Sequence, residues 1–144
     1  MKKIILIVFS FAFLLSGCGT QNYLAPSLSK IDSMQIILND FVYYLKKVYV
    51  PGRTSFSINE STSTMYTKKL AYTLRSKGYS VCNKTTEDSC ANALEVTSVI
   101  DIIEKSYVRS SFYVDGKVIS RLYRLTSDKR IKRYGAITVY KQGS

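Results

Sequence analysis

The chain has no histidine and no tryptophan, only two prolines, and fewer than half as many acidic as basic residues, 10 against 21 in a length of 144. Without histidine there can be no Ser-His or Cys-His nucleophilic pair, and the commonest metal ligand is missing. No glycine-rich phosphate loop is present, and Gly78, Gly116 and Gly135 each fit a helix cap, a turn or a strand bend. The carboxylates Glu60, Glu87, Asp88, Glu95, Asp101 and Glu104 fall in no acid–base motif, so solvated or ion-paired roles are expected for them. The expectation is a chain with no catalytic residue, no metal site and no bound cofactor. Long apolar runs are also lacking: the longest, the almost unbroken stretch Ile4 to Leu15, has twelve residues including Ser10, where a bilayer-spanning helix needs about twenty.

That run is nevertheless informative. It follows the positive start Met1-Lys2-Lys3 and stops at Leu15-Ser16-Gly17-Cys18, which is the arrangement of a secretory signal peptide. The four residues resemble a lipobox, in which small residues admit a signal peptidase that cuts between Gly17 and Cys18, and the cysteine thiol carries a diacylglyceryl group. Residues 1–17 are therefore expected to be the signal and residues 18–27 a lipidated tether. The alternative is an ordinary signal peptide that happens to end in cysteine. Two or three acyl chains on one residue hold a protein to a bilayer stably where one would be reversible. Gly19 at the second mature position, by likeness to sorting rules in Gram-negative lipoproteins, favours the outer membrane with the domain facing the periplasm.

Removing Lys2 and Lys3 lowers the formal charge from +11 to +9. A basic protein is drawn to anionic head groups, acidic proteins or nucleic acid. The densest cluster is Lys129, Arg130, Lys132 and Arg133, but no helix-turn-helix, zinc finger or aromatic RNA-binding motif accompanies it. Direct nucleic-acid binding is not expected, and a solvated turn and strand edge competes with a glycolipid contact there. Once Cys18 is assigned to lipid, Cys82 and Cys90 form an even pair across the polar stretch Asn83 to Ser89. In an exported protein such a pair reads as a disulfide, with two free thiols as the alternative.

Residues 28–144 read as one domain, a length that fills a single core. The tether Gly19 to Ser27 should be flexible or extended, although Tyr23 and Leu24 could insert into a partner. Leu28, Ile31, Met34, Leu38, Phe41, Leu45 and Val48 follow helical spacing, with Ser29 as a cap and Pro51-Gly52 as the stop. Arg53 to Ile58 alternates as a strand. A second helix is expected from about Ser61 to Lys77, burying Met65, Tyr66, Leu70 and Leu74 and closed by Gly78, before a strand from Tyr79 to Cys82. Leu94 to Ile103 has a two-residue period, and Tyr107 to Val114 and Lys117 to Leu125 flank Asp115-Gly116, a strong two-residue hairpin signal that sets Phe112 opposite Ile119 and Val108 opposite Tyr123. A last strand is expected over about Arg133 to Tyr140. The fold class is α+β: two helices packed on one face of a mainly antiparallel sheet, in a two-layer sandwich. Twelve tyrosines suit contact surfaces, and Tyr43, off the buried helical stripe, is the best candidate for an exposed one.

The lipobox, the first helix, the segment Tyr49-Val50-Pro51-Gly52-Arg53-Thr54-Ser55-Phe56-Ser57-Ile58 and the run Lys69-Leu70-Ala71-Tyr72-Thr73-Leu74-Arg75-Ser76-Lys77-Gly78-Tyr79-Ser80-Val81 together resemble TrbH-type conjugal transfer lipoproteins. The Cys82 to Cys90 loop departs from that pattern. The resemblance implies a small lipoprotein that anchors the outer-membrane core of a type IV secretion channel, with other subunits of the complex and the membrane as partners. Other readings are a pilotin or assembly factor, an anionic glycolipid binder, or, with least support, an envelope hydrolase. Neighbouring transfer genes would favour the first.

Overall fold

The first helix, α1, runs from Met34 to Val48 and buries Met34, Ile37, Leu38, Phe41, Val42 and Leu45. In the computed structural model, residues 22–28, 33–59, 65–84 and 90–143 are described. The signal segment, the lipobox with Leu15, Ser16, Gly17 and Cys18, the expected cap Ser29 and most of the loop between the other cysteines lie outside the described residues.

The helix begins later than the periodicity suggests, because Leu28 belongs to a separate 3₁₀ turn, Pro26–Leu28, closed by its N–H on the Ala25 carbonyl (2.8 Å). Ser33 makes no side-chain cap on α1; its hydroxyl instead accepts the Ile131 N–H at 2.8 Å, tying the helix start to the sheet. Val48, expected inside, is exposed, since the helix ends there with the Tyr49 N–H on the Leu45 carbonyl.

The second helix, α2, spans Met65–Ser76 and buries Tyr66, Leu70 and Leu74 as expected, together with Thr67, Ala71 and Thr73. Met65 is 73% exposed, a correction at a helix end where the stripe runs past its partners. Gly78, at φ +90°, terminates the turn, and the Tyr79 N–H reaches back to Leu74 at 3.2 Å. A side chain at that φ would be strained.

The strands are β1 (Tyr23–Leu24), β2 (Ser55–Ile58), β3 (Ser80–Asn83), β4 (Leu94–Ile103), β5 (Tyr107–Val114), β6 (Lys117–Leu125), β7 (Ile131–Arg133) and β8 (Thr138–Lys141). Their order is β3-β2-β4-β5-β6-β7, with β1 beside β4 and β8 beside β6. Pairings from β4 through β8 are antiparallel; β2 runs parallel to β3 and β4, and β1 parallel to β4. The fold is thus the α+β sandwich expected, with a β2-α2-β3 crossover supplying a parallel edge.

Asp115 and Gly116 both take positive φ, +51° and +64°, in the tight β5–β6 turn. Phe112 accordingly faces Ile119, and Val108 faces Tyr123. Alternation places Val96, Ser98 and Ile100 of β4, Val108 and Phe112 of β5, and Ile119 and Tyr123 of β6 beneath the helices, all buried. Phe41 of α1 stacks on Phe112 at 3.9 Å between ring centroids, 5° from parallel.

Two expectations are corrected here. The single last strand is two, for between β7 and β8 the Tyr134 and Gly135 N–H groups both point at the Leu122 carbonyl (3.2 and 3.3 Å). Two donors opposite one acceptor make a bulge, which bends the edge and interrupts pairing. Residues 22–27, expected as part of a flexible tether, also make contacts with the body. Leu24 aligns with Ile100 in β4, the Ala25 N–H bonds the Ile100 carbonyl at 2.9 Å, and Asn22 Oδ1 accepts from Ser98 Oγ at 3.0 Å. That serine hydroxyl also receives the Tyr66 hydroxyl at 3.0 Å, so residues 22–28 are docked into the body and not free of it. Burial pushes the Tyr66 phenol well above its ordinary pKa, against the smaller lowering effect of the bond to Ser98.

Candidate interaction surfaces

The most heavily bonded polar side chain of the described residues is Asp40, 6% exposed on the inward side of α1. Helical spacing puts it one turn after Ile37, against β6 and β7. Alternation along β6 sets Arg121 between Ile119 and Tyr123 on the same inner face, and a half-buried guanidinium calls for a carboxylate. Arg121 Nη1 donates to Asp40 Oδ2 at 3.0 Å and the Tyr123 hydroxyl to the same oxygen at 3.1 Å. Arg133 of β7 completes the set through Nε (2.9 and 3.0 Å) and Nη2 (2.8 Å). Arg121 Nε is held in turn by the Gly135 carbonyl at 2.7 Å, within the bulge. Burial first, then the Asp40 charge, pushes the Tyr123 phenol far above its usual value, and the hydrogen bond that Arg133 donates to Asp40 holds that guanidinium still more firmly as a cation. With both oxygens engaged by three side chains, the carboxylate is a clamp between helix and sheet.

Beside this clamp a groove of about 530 Å³ opens between α1 and the bulged edge, lined among others by Tyr43, Lys46, Lys77, Arg121, Arg133 and Ile137. Tyr43, the expected exposed tyrosine, is 61% exposed there, with Lys47 Nζ 4.4 Å above its ring. A second hollow of about 510 Å³ is lined by Lys105, Arg124 and Lys132 with the hydroxyls of Ser106, Thr126 and Ser127.

The basic cluster is therefore not one patch. Lys129, at φ +58°, and Arg130 sit in the turn after β6, where Thr126 Oγ1 accepts the Arg130 N–H at 3.1 Å and Arg130 pairs with Asp128. Thr126 also bonds Asp128, which, with lesser help from nearby cations, holds that carboxyl below its ordinary range. Lys132 and Arg133 are neighbours in β7 and so point to opposite faces: Arg133 to Asp40, Lys132 to the second hollow. Tyr23 is exposed and level with Val99, whereas Leu24 is partly buried and packs against the core.

The sheet face away from the helices carries Asp101 gripped by Arg109 (2.6 and 3.2 Å), Tyr107 edge-on to Tyr134 at 5.0 Å, and exposed Leu122 and Tyr140. All four residues of β8 are exposed, and among the described residues its outer edge has no paired strand. Such an edge can accept an added strand. The described carboxylates do not converge. Glu95 pairs with Lys84 at 2.8 Å, and Asp101 lies six residues further along β4, roughly 20 Å away. Glu60, Glu87 and Asp88 are outside the described residues. Among the described residues no group of three or more His, Cys, Asp or Glu could hold a metal, and no helix is long and apolar enough to cross a membrane.

Cys82 and Cys90 are joined as a disulfide, Cα atoms 6.0 Å apart, at the end of β3. Closing a loop of this size is worth about 2 to 3 kcal/mol in chain entropy. Replacing both cysteines by serine should lower Tm by roughly 8 °C or more in a domain of this size. Calorimetry under oxidising conditions checks this, and an unchanged melt would remove the disulfide as a stabilising element.

A two-layer α+β body with an open strand edge, exposed tyrosines and basic hollows is equipped for contact with other macromolecules. Residues 19–143 match the family described as Conjugal transfer protein TrbH, and the chain belongs to that family. It is a component of the conjugal transfer apparatus. No curated protein and no solved structure matches it.

Proposed function

We propose that the chain is a lipid-anchored structural subunit of the conjugation channel, held to the outer membrane through Cys18 and facing the periplasm, where it stabilises the core complex by docking to other subunits. One observation carries the reading. Asn22 and Tyr23 are already fixed to β4, so the four-residue step from Cys18 can extend at most about 14 Å. A lipidated Cys18 would hold the body almost against the leaflet, which suits a subunit that fixes a complex to a membrane and not one that ranges through the periplasm. The Cys82–Cys90 disulfide supports export to an oxidising compartment.

Separation of inner and outer membranes tests the location. Wild-type protein should band with the outer membrane and Cys18→Ser should shift to the soluble or inner-membrane fraction. A wild-type chain found free in the periplasm would overturn the reading.

A further inference from the structure

We propose that the groove between α1 and β6–β7 is a receptor for an acidic segment of a partner protein, taking a carboxylate side chain between Lys46, Lys77, Arg121 and Arg133. This deepens the docking role proposed above and rests on it. The groove gathers four cations from both layers of the fold, and its only acid among the described residues is Asp40, whose oxygens already serve Arg121, Arg133 and Tyr123. Lys46 and Lys77 have no carboxylate partner among the described residues, and Lys46, Lys77 and Arg133 are solvent-accessible. Lysines near helix C-termini ordinarily offset the helix dipole, and Asp40 answers part of the charge of Arg121 and Arg133, but four cations against one carboxylate leave the hollow with a positive excess.

The arrangement also selects the kind of anion. Arg121 already uses Nε and Nη1, and Arg133 uses Nε and Nη2. Each guanidinium thus keeps one Nη free and three N–H groups in all, enough to bind a carboxylate oxygen. Between the cations stand Val42, Ile137 and the exposed ring of Tyr43, an apolar wall that a nucleic-acid backbone would not use and a peptide's neighbouring side chains would. A volume of about 530 Å³ admits a few residues.

The test uses the full lipidated chain in nonionic detergent and a fluorescein-labelled peptide of alternating Glu and Leu, followed by anisotropy. Binding should be present, weaken with salt, and fall by about tenfold or more in the Lys46→Glu, Lys77→Glu double variant. Both lysines are exposed, so this variant should stay folded with only a small drop in the melt from the helix dipole; Lys46→Gln with Lys77→Gln, losing charge without reversal, should show a smaller loss of binding in the same direction. Unchanged affinity in both double variants would overturn the proposal. So would equal binding of the peptide with Gln in place of Glu, or equal binding by inorganic phosphate or a single-stranded oligonucleotide. Any of these would leave the anchoring role intact, because that is read from the membrane partition of the Cys18 variant.

Discussion

Asp40→Ala should destabilise the folded domain by about 3 kcal/mol or more, measured by urea unfolding. The substitution leaves Arg121, whose side chain is 19% exposed, and the buried Tyr123 hydroxyl facing a hole where their common acceptor stood. An uncompensated buried charge is costlier than the loss of an exposed ion pair, whose worth is about 0 to 1 kcal/mol. Arg133, 55% exposed at its side chain, can turn to water, so Arg133→Ala should cost clearly less than Arg121→Ala. In a double-mutant cycle Asp40 and Arg121 should couple more strongly than Asp40 and Arg133. A loss below about 1 kcal/mol for Asp40→Ala would place the cluster with surface ion pairs and remove the clamp from the account of how α1 is fixed to the sheet.

The second large effect concerns transfer itself. Cys18→Ser should reduce plasmid transfer in a mating assay to the level of a strain lacking the protein, while the Tm of the domain stays unchanged. A serine hydroxyl cannot form the thioether that carries the diacylglyceryl group, and without two or three acyl chains membrane attachment is weak and reversible. The described fold begins at Asn22, so position 18 lies outside every packed contact described. A change that spares stability and removes function separates anchoring from folding. Re-anchoring the Cys18→Ser domain to the inner membrane through a transmembrane segment should not restore transfer, because the subunit would then face the core complex from the wrong leaflet. Normal mating by Cys18→Ser would contradict the proposed role.

Much of the fold was legible because local chemistry and tertiary packing agree. Asp115-Gly116 meets a turn that needs positive φ at both positions, and it sets the register of β5 on β6 down to the Phe112–Ile119 pair. The three-and-four spacing of α1 and the alternation of β4 read correctly because each element has one apolar side. The misplaced residues, Val48 and Met65, lie at helix ends, where a periodic stripe continues past the last partner. The β7–β8 division was hidden because the bulge depends on two N–H groups meeting one carbonyl of another strand. Likewise Tyr23-Leu24 is too short to register as a strand until β4 is there to pair with it.

The clamp was missed for a related reason. Asp40 lies 81 residues from Arg121 and 93 from Arg133, and sequence proximity instead gathered Arg133 with Lys132, which the pleat sends the other way. A signal was present: an aspartate in the buried register of α1 and an arginine in the buried register of β6 each demand an opposite charge. Pairing those demands would have found the site. The groove follows from the same fact, since it lies where the clamp joins the two layers.

The central claim is that acyl groups on Cys18 bind this small body to a membrane. Mass spectrometry of the amino-terminal peptide from protein extracted out of the outer membrane addresses it most directly. A chain beginning at Cys18 with a diacylglyceryl thioether and an acylated amine is the expected result; an amino terminus without lipid, on protein recovered in the soluble fraction, would contradict it.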